Sequence, residues 1–346
     1  MSDNRTELSQ LGEFGLIDRI KSKFSITNGT TLVGIGDDAA IIDAGEQAVL
    51  VSTDMLLEGI HFDLSYMPLQ HLGYKSVAVN VSDIAAMNGK PEQIVISLAI
   101  SNRFSVEAID ALFEGIQMAC KNYKVDLVGG DTSSSTSGLI ISITVLGRAP
   151  KEQIVKRGGA KTNDIICVTG DLGAAYMGLQ VLEREKQVFL TNPEMQPDLE
   201  KYEYLVGRQL RPEARMDIIH ELRDRNCLPT SMIDISDGLA SELFHLGKHS
   251  NLGVKIFEDK VPIDHSTYET AIEFKLDPIT CALHGGEDYE LLFTIHPSDY
   301  DKIKNHPDIH FIGHMHKDPD QHVLITKQQT EVPIQAQGWN HFKGQS

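Results

Sequence analysis

Acidic motifs beside glycine or a small hydroxyl residue recur along this chain. They are Gly36-Asp37-Asp38, Ser52-Thr53-Asp54, Val81-Ser82-Asp83, Gly129-Gly130-Asp131, Asp234-Ile235-Ser236-Asp237-Gly238 and Gly285-Gly286-Glu287-Asp288. Carboxylates gathered in one place repel each other and cannot all stay ionised without cations. Hard oxygen donors of this kind select Mg²⁺ or a similar ion. Several such ions in one cleft imply that phosphates come there too, which points to phosphoryl chemistry.

Each motif alone also has a plainer reading. Gly36-Asp37-Asp38 follows a strand pattern and could be a solvated turn that caps local amides. Ser52-Thr53-Asp54 reads as a strand end aimed at a cleft, and a helix N-cap would look the same. Asp83 lies on an otherwise apolar helix with Asn80 on the same side. A carboxylate there needs a partner: a metal, a buried hydrogen bond, or an ion pair with Lys75 or Lys90. Gly129-Gly130 would let backbone approach a phosphate closely. Asp234 and Asp237 bracket Ser236 just before a helix whose free N–H groups favour an anion, or which is simply capped. The Gly285–Glu290 stretch reads equally as a polar turn into an edge strand.

These motifs must be positioned by an α/β alternation. Strands are expected at Leu32–Ile35, Ala48–Ser52, Gln93–Ile100, Val125–Val128 and Leu139–Gly147. Helices are expected at Leu72–Met87 and at Val106–Tyr123, the latter capped by Ser105. Basic residues with Pro150, Gly158 and Gly159 mark a boundary in Ala149–Lys161. Beyond it the pattern predicts strands Asp164–Thr169, Tyr289–Ile295 and Ile309–Gly313, with helices Leu172–Glu183, Pro212–Asn226 and Gly238–His249. Gln187–Leu199 reads as an exposed connection. Residues 1–150 and 151–346 thus form two α/β domains, each a strand, acidic turn, helix plan, with a cleft between them.

The 346 residues suit two domains, with 41% hydrophobic and 23% charged residues. The formal net charge of −18 argues against nucleic acid or an anionic membrane as partner. It permits a phosphorylated substrate, because bound cations reverse the local sign. No apolar run is long enough to cross a bilayer, and the first residues lack a signal-peptide core. Cys120, Cys167, Cys227 and Cys281 are scattered, which suits reduced thiols in a cytoplasmic protein. No Gly-x-x-x-x-Gly-Lys-Ser/Thr string occurs, so this is no P-loop enzyme, and the protein-kinase signatures are absent too.

In this order the motifs resemble the thiamine-monophosphate kinase family. The strings are Leu11-Gly12-Glu13-Phe14-Gly15-Leu16-Ile17, GDDAA from Gly36, VSTDMLLEGIHF from Val51, YKSVAVNVSDIAAM from Tyr74 and VGGDT from Val128. They continue with RGGAKTNDIICVTGDLG from Arg157, RPEARMD from Arg211, IDISDGL from Ile233, GGEDYELLFTI from Gly285 and Gly338-Trp339-Asn340-His341-Phe342. The resemblance implies an AIR-synthetase-like two-domain fold whose N-terminal mixed-sheet domains pair in a homodimer. It implies transfer of the γ-phosphoryl of ATP to thiamine monophosphate, with several Mg²⁺ ions and no phosphoenzyme.

Carried over by motif, the resemblance assigns Asp38, Ser52, Thr53, Asp54, Asp83, Asp131, Asp234 and Asp237 to Mg²⁺. It assigns Phe113, Gly130, Asp131, Arg157 and Ser236 to ATP, with Phe113 resting on helix position alone. His61, Glu287 and Trp339 are implied to contact thiamine phosphate. The chemistry agrees: Trp339 could stack on a cationic ring, Glu287 could accept from an aminopyrimidine, and Arg157 could offset charge on the transferred group. Asp54, Asp131 and Arg157 are the residues expected to matter most for turnover. The rivals are another ATP-using member of the same superfamily, such as a synthetase with a reactive N-terminal cysteine, and a non-catalytic nucleotide or divalent-cation binder.

Overall fold

A computed structural model describes residues 29–335 except Gln196, with scattered positions between 15 and 27. The Leu11–Ile17 motif falls mostly outside the described residues, and Trp339 with its motif falls wholly outside them.

Two sheets organise the chain. The first holds β1 (Thr31–Val33), β2 (Ala40–Ala44), β3 (Gln47–Leu57), β4 (Lys90–Ile100), β5 (Asp126–Ser134) and β6 (Ile140–Pro150), in the order β1-β2-β3-β6-β4-β5. Its long central pair, β3 with β6, runs antiparallel from Gln47↔Pro150 to Leu57↔Ile140, while β4 and β5 are parallel. Two helices cover one face of it: α1 (Leu69–Ala86) and α2 (Val106–Tyr123). Ser105 accepts a bond from the Ala108 amide at 3.3 Å, and α2 ends on left-handed Lys124, so both its ends match the expected helix. The two helices pack closely enough that a Cβ on Gly115 would lie 1.8 Å from the Gln70 carbonyl oxygen.

The second sheet holds β7 (Ile165–Thr169), β8 (Ser231–Asp234), β9 (Gly253–Phe257), β10 (Leu291–Ile295), β11 (Ile309–His316), β12 (His322–Ile325) and β13 (Glu331–Pro333). Its order is β13-β12-β9-β11-β7-β10-β8. Its helices are α3 (Ala174–Thr191), α4 (Glu203–Leu210), α5 (Met216–Asp224), α6 (Leu239–Ser250), α7 (His265–Glu273), α8 (Pro278–His284) and the short α9 (Tyr300–Ile303). Along β7 and β10, Cys167 and Phe293 enter one core while Ile166, Val168 and Leu292 enter another. Burial on both faces explains why these strands read as unbroken apolar runs.

The first of those cores is continuous with the core of the N-terminal sheet, and α1 is where they meet. This helix touches β3, β4, β6 and α2 on one side and β8, α4 and α5 on the other. Buried residues therefore surround its axis, from Leu72 and Lys75 to Asn80, Ile84 and Ala86.

Several expectations need correction. Ser52-Thr53-Asp54 is not a strand end, because β3 continues to Leu57. Gly129-Gly130-Asp131 is not a turn, because β5 runs on to Ser134, pairing with β4. Polar residues read as breakers are instead strand residues whose side chains alternate between faces. Helix α3 extends to Thr191, through residues expected to form a loop. The expected helix over Pro212–Asn226 is the shorter α5, and α4, α7, α8, β9 and β12 were not anticipated.

Candidate active site

Strand β3 and helix α1 meet face to face, and this contact builds the site. Period-two alternation turns Ser52 and Asp54 toward α1. On α1, Ser76, Asn80 and Asp83 recur at helical spacing and face the strand. The Ser52 hydroxyl donates to Asp83, and the Asp54 amide donates to Asn80 Oδ1 at 3.1 Å. Asn80 in turn donates to the Ser76 carbonyl at 2.9 Å. The Ser82 hydroxyl, next along α1, donates to Asp234 Oδ2 at 2.6 Å, which joins the end of β8 to the same place.

Asp38, Asp83 and Asp234 converge, with one oxygen of each lying within 4.8 Å of the others. Asp38 and Asp234 are buried and Asp83 is partly buried. Burial, with Asp38 and Asp54 nearby, pushes the Asp234 carboxyl up to about 7. Burial, with Glu287 and Asp38 nearby, pushes Asp54 to about 6, and burial beside Asp38 does the same for Asp37. Asp83 is raised well above the ordinary range by burial and by Asp54, Asp234 and Asp38. An all-oxygen set of hard, mutually repelling donors is what Mg²⁺ needs, so the residues fit that ion.

Arg157 brings positive charge to the cluster. It forks onto Asp38, with Nε at 3.1 Å and Nη2 at 2.7 Å, and its amide donates to Asp37 Oδ1 at 3.2 Å. Burial opposes its charge, but Asp38 and Asp37 hold the guanidinium above its ordinary value.

The Gly285–Glu290 motif divides its work. Glu287 enters the cleft, where Lys75 and the Tyr289 hydroxyl bind it. Burial pushes its carboxyl up, but Lys75 more than offsets this and holds it below the usual range. Asp288 points the other way and accepts from the amides of Gly173 at 2.8 Å and Ala175 at 3.2 Å, capping α3. Glu290 sits in the core beside Arg215, Arg208 and Thr169. His61 lies near enough to Glu287 for its charge to act on that carboxyl, and its Nδ1 accepts from the Leu57 amide at 3.0 Å.

The stretch before α6 is occupied from within the protein. Buried Glu242, on α6, accepts from the amides of Ser236 at 3.2 Å and Asp237 at 2.9 Å. The anion-binding reading of those two amides is thereby replaced by an internal cap. The Ser236 side chain remains exposed and Asp237 partly so.

Other expected residues are not brought into this cluster. Thr53 faces the opposite side of the sheet, donating to the Ile143 carbonyl at 3.0 Å, and Thr144 donates to it at 3.0 Å. Its hydroxyl therefore does not turn to the side of the sheet where Asp54 lies. Asp131 aligns across the sheet with Ser97, Ser142 and Met55, on that same open face and on exposed edge strand β5. It does not join Asp38, Asp83 and Asp234 within one chain. Gly130 is required by packing, since a Cβ there would lie 1.9 Å from the Ile96 carbonyl oxygen, while nothing crowds Gly129. Phe113 projects outward from α2. Lys75 and Lys90 do not pair with Asp83: Lys75 binds Glu287, and Lys90 binds Glu92 on the surface.

Sequence reasoning passed over Glu242, and it named Lys75 only as a partner for Asp83, not for Glu287. Both carried the signal that singled out Asp83, a charge within an apolar helix. Burial pushes the thiols of Cys120, Cys227 and Cys281 up to about 11 and Cys167 well above its ordinary value, which leaves no activated nucleophile among the cysteines.

Residues 36–149 match the family described as AIR synthase related protein, N-terminal domain. The chain is 36% identical to thiamine-monophosphate kinase of Bacillus subtilis (strain 168), covering 96% of this chain and 100% of that one. It is 34% identical to thiamine-monophosphate kinase of Aquifex aeolicus (strain VF5), covering 97% and 99%. Its fold superposes on AaThiL complexed with AMPPCP and TMP with a TM-score of 0.82 at 31% identity, covering 98% and 100%. Hydrogenase maturation protein HypE in complex with ATP, at 16% identity and a TM-score of 0.68, shares the fold alone. With its two sheets, its buried carboxylate cluster and these full-length likenesses, the chain belongs to the thiamine-monophosphate kinase family, within the AIR-synthetase-like superfamily.

Proposed function

We propose that this chain transfers the γ-phosphoryl group of ATP to thiamine monophosphate, giving thiamine diphosphate and ADP. The observation that carries this reading is the buried, mutually repelling set Asp38, Asp83 and Asp234, with Asp54 beside it. A protein keeps so many carboxylates together when cations and phosphates complete the site. A related solved structure holds AMPPCP and TMP, ligands of the same two kinds.

Asp38, Ser52, Asp54, Asp83, Asp234 and Asp237 would hold Mg²⁺, with Thr53 limited to its main-chain oxygen. Bound Mg²⁺ offsets the repulsion between two anionic phosphates. The terminal oxygen of thiamine monophosphate is already an anionic nucleophile at neutral pH, so no general base is needed. The chain's own task is alignment of the donor and acceptor phosphates. Arg157, now forked onto Asp38, is placed to turn to a phosphate. Ser236 contacts ATP, and His61 and Glu287 contact thiamine monophosphate, with Trp339 assigned to the same substrate. Residues 1–150 and 151–346 act as the two domains. Incubation with Mg-ATP and thiamine monophosphate should yield thiamine diphosphate and ADP on chromatography. Nucleotide binding without product would remove this reading in favour of a non-catalytic binder.

Gly130, Asp131 and Phe113 reach ATP only if the open face of the first sheet is part of the site. That face exposes Met55, and β5 exposes Leu127 and Val128. An open sheet face beside an unpaired edge strand with exposed apolar residues calls for a covering partner, and we assign it to a second copy of the chain. Sedimentation should show a homodimer. A fully active monomer at assay concentration would overturn the assignment. Four free cysteines, none of them in a disulfide, favour the cytoplasm, and no described helix is long and apolar enough to cross a membrane.

A further inference from the structure

Among the described residues Lys75 is the only buried lysine, 1% exposed. A sealed ammonium is costly unless well partnered. It stands on α1 of the N-terminal half, yet its partners belong to the C-terminal half. It donates to Glu287 and to the Gln209 carbonyl oxygen at 3.1 Å. The other Glu287 oxygen accepts from the Tyr289 hydroxyl at 3.1 Å. The Glu287 backbone is itself fixed, with φ of 62° and its amide donating to the Ser236 carbonyl at 2.7 Å. The Glu287 side chain is 31% exposed, so a ligand in the cleft can touch the carboxylate but not the ammonium behind it. Asp54 and Asp234 in the same cleft are pushed toward neutrality, whereas Glu287 is held below its ordinary value.

We propose that Lys75 is a positioning residue that acts through Glu287. From behind, it keeps that carboxylate ionised and aimed into the cleft, and so sets the affinity for the cationic, amine-bearing ring system of thiamine monophosphate but not for ATP. The inference rests on the reading of Glu287 as a contact of that substrate.

The experiment measures KM for each substrate, and thiamine monophosphate binding by calorimetry, in the wild type and three variants. These are Lys75→Met, Glu287→Gln, and the two combined. Lys75→Met should raise KM for thiamine monophosphate about tenfold or more, with KM for ATP nearly unchanged, the scale of a lost charge-assisted contact. The combined variant should bind thiamine monophosphate no worse than Glu287→Gln alone, because without the carboxylate the lysine has nothing to position. Should Lys75→Met fail to fold, that comparison decides, since the combined variant leaves no unpaired buried charge. Equal rises in both KM values, or losses that multiply in the combined variant, would overturn the role of Lys75. Wild-type protein that does not bind thiamine monophosphate would instead remove the substrate reading itself.

Discussion

Asp83→Asn should abolish most of the turnover and at the same time make the metal-free protein more stable. The two effects share a cause. Asp83 lies among Asp38, Asp54 and Asp234, and their repulsion together with burial raises its carboxyl far above the ordinary range. An amide is the same size, can still accept from the Ser52 hydroxyl, and can donate to a neighbouring carboxylate. An amide never needs protonating, so the apo fold is spared the cost that the raised carboxyl imposes near neutral pH. The substitution also removes one anionic donor for Mg²⁺, and turnover should fall by about 10³-fold, the scale seen when charge stabilisation is deleted from a preorganised site. Initial rates at saturating Mg²⁺, with thermal melts in EDTA, check both halves. Near-normal rates, or a lower apo melting temperature, would remove Asp83 from the proposed ion site.

Mg²⁺ should stabilise the protein more at pH 8 than at pH 5.5. The carboxyls of Asp54 and Asp37 are raised to about 6 and that of Asp234 to about 7, while in the unfolded chain each would titrate near its ordinary value of about 4. Between those limits the folded state carries protons that the unfolded state has released. Apo stability from this cluster is therefore fully present below about pH 4 and is lost as pH rises through about 7. At pH 8 the carboxylates are ionised and ready for a cation, whereas at pH 5.5 a cation must displace protons. Melting in EDTA should fall by a few degrees from pH 5.5 to pH 8, and added Mg²⁺ should recover most of it. A Mg²⁺ shift that is equal at both pH values would contradict the carboxylate cluster as the binding site.

Much of this site was readable in the sequence because the signals were local. Ser105 and the 3.6-residue apolar spacing of α2 fixed that helix to its ends. Asp83 stood out as an acid on an apolar helix. Partners were not readable, because they come from far along the chain. Lys75 meets Glu287 and Ser82 meets Asp234, and nothing near either residue announces it. Faces were not readable either, since a one-residue step in a strand reverses the side chain. That is why Thr53, set between Ser52 and Asp54, stands on the open side of the sheet, as Asp131 does one step beyond Gly130. The acids around Gly285–Glu290 look alike as letters, yet Glu287 enters the cleft, Asp288 caps α3 and Glu290 joins the core.

Helix α1 lies between the two sheets with buried residues around its axis, and it carries Lys75 and, beginning little more than a turn further on, Asn80, Ser82 and Asp83. Many two-domain kinases bring their substrates together by swinging one lobe against the other around a flexible joint. Here the joint would have to pass through a helix that both lobes grip. Rotation of one half would tear Lys75 from Gln209 and Ser82 from Asp234. The protein is built like an axle set in two bearings, and one of the clustered carboxylates, Asp83, rides on the axle.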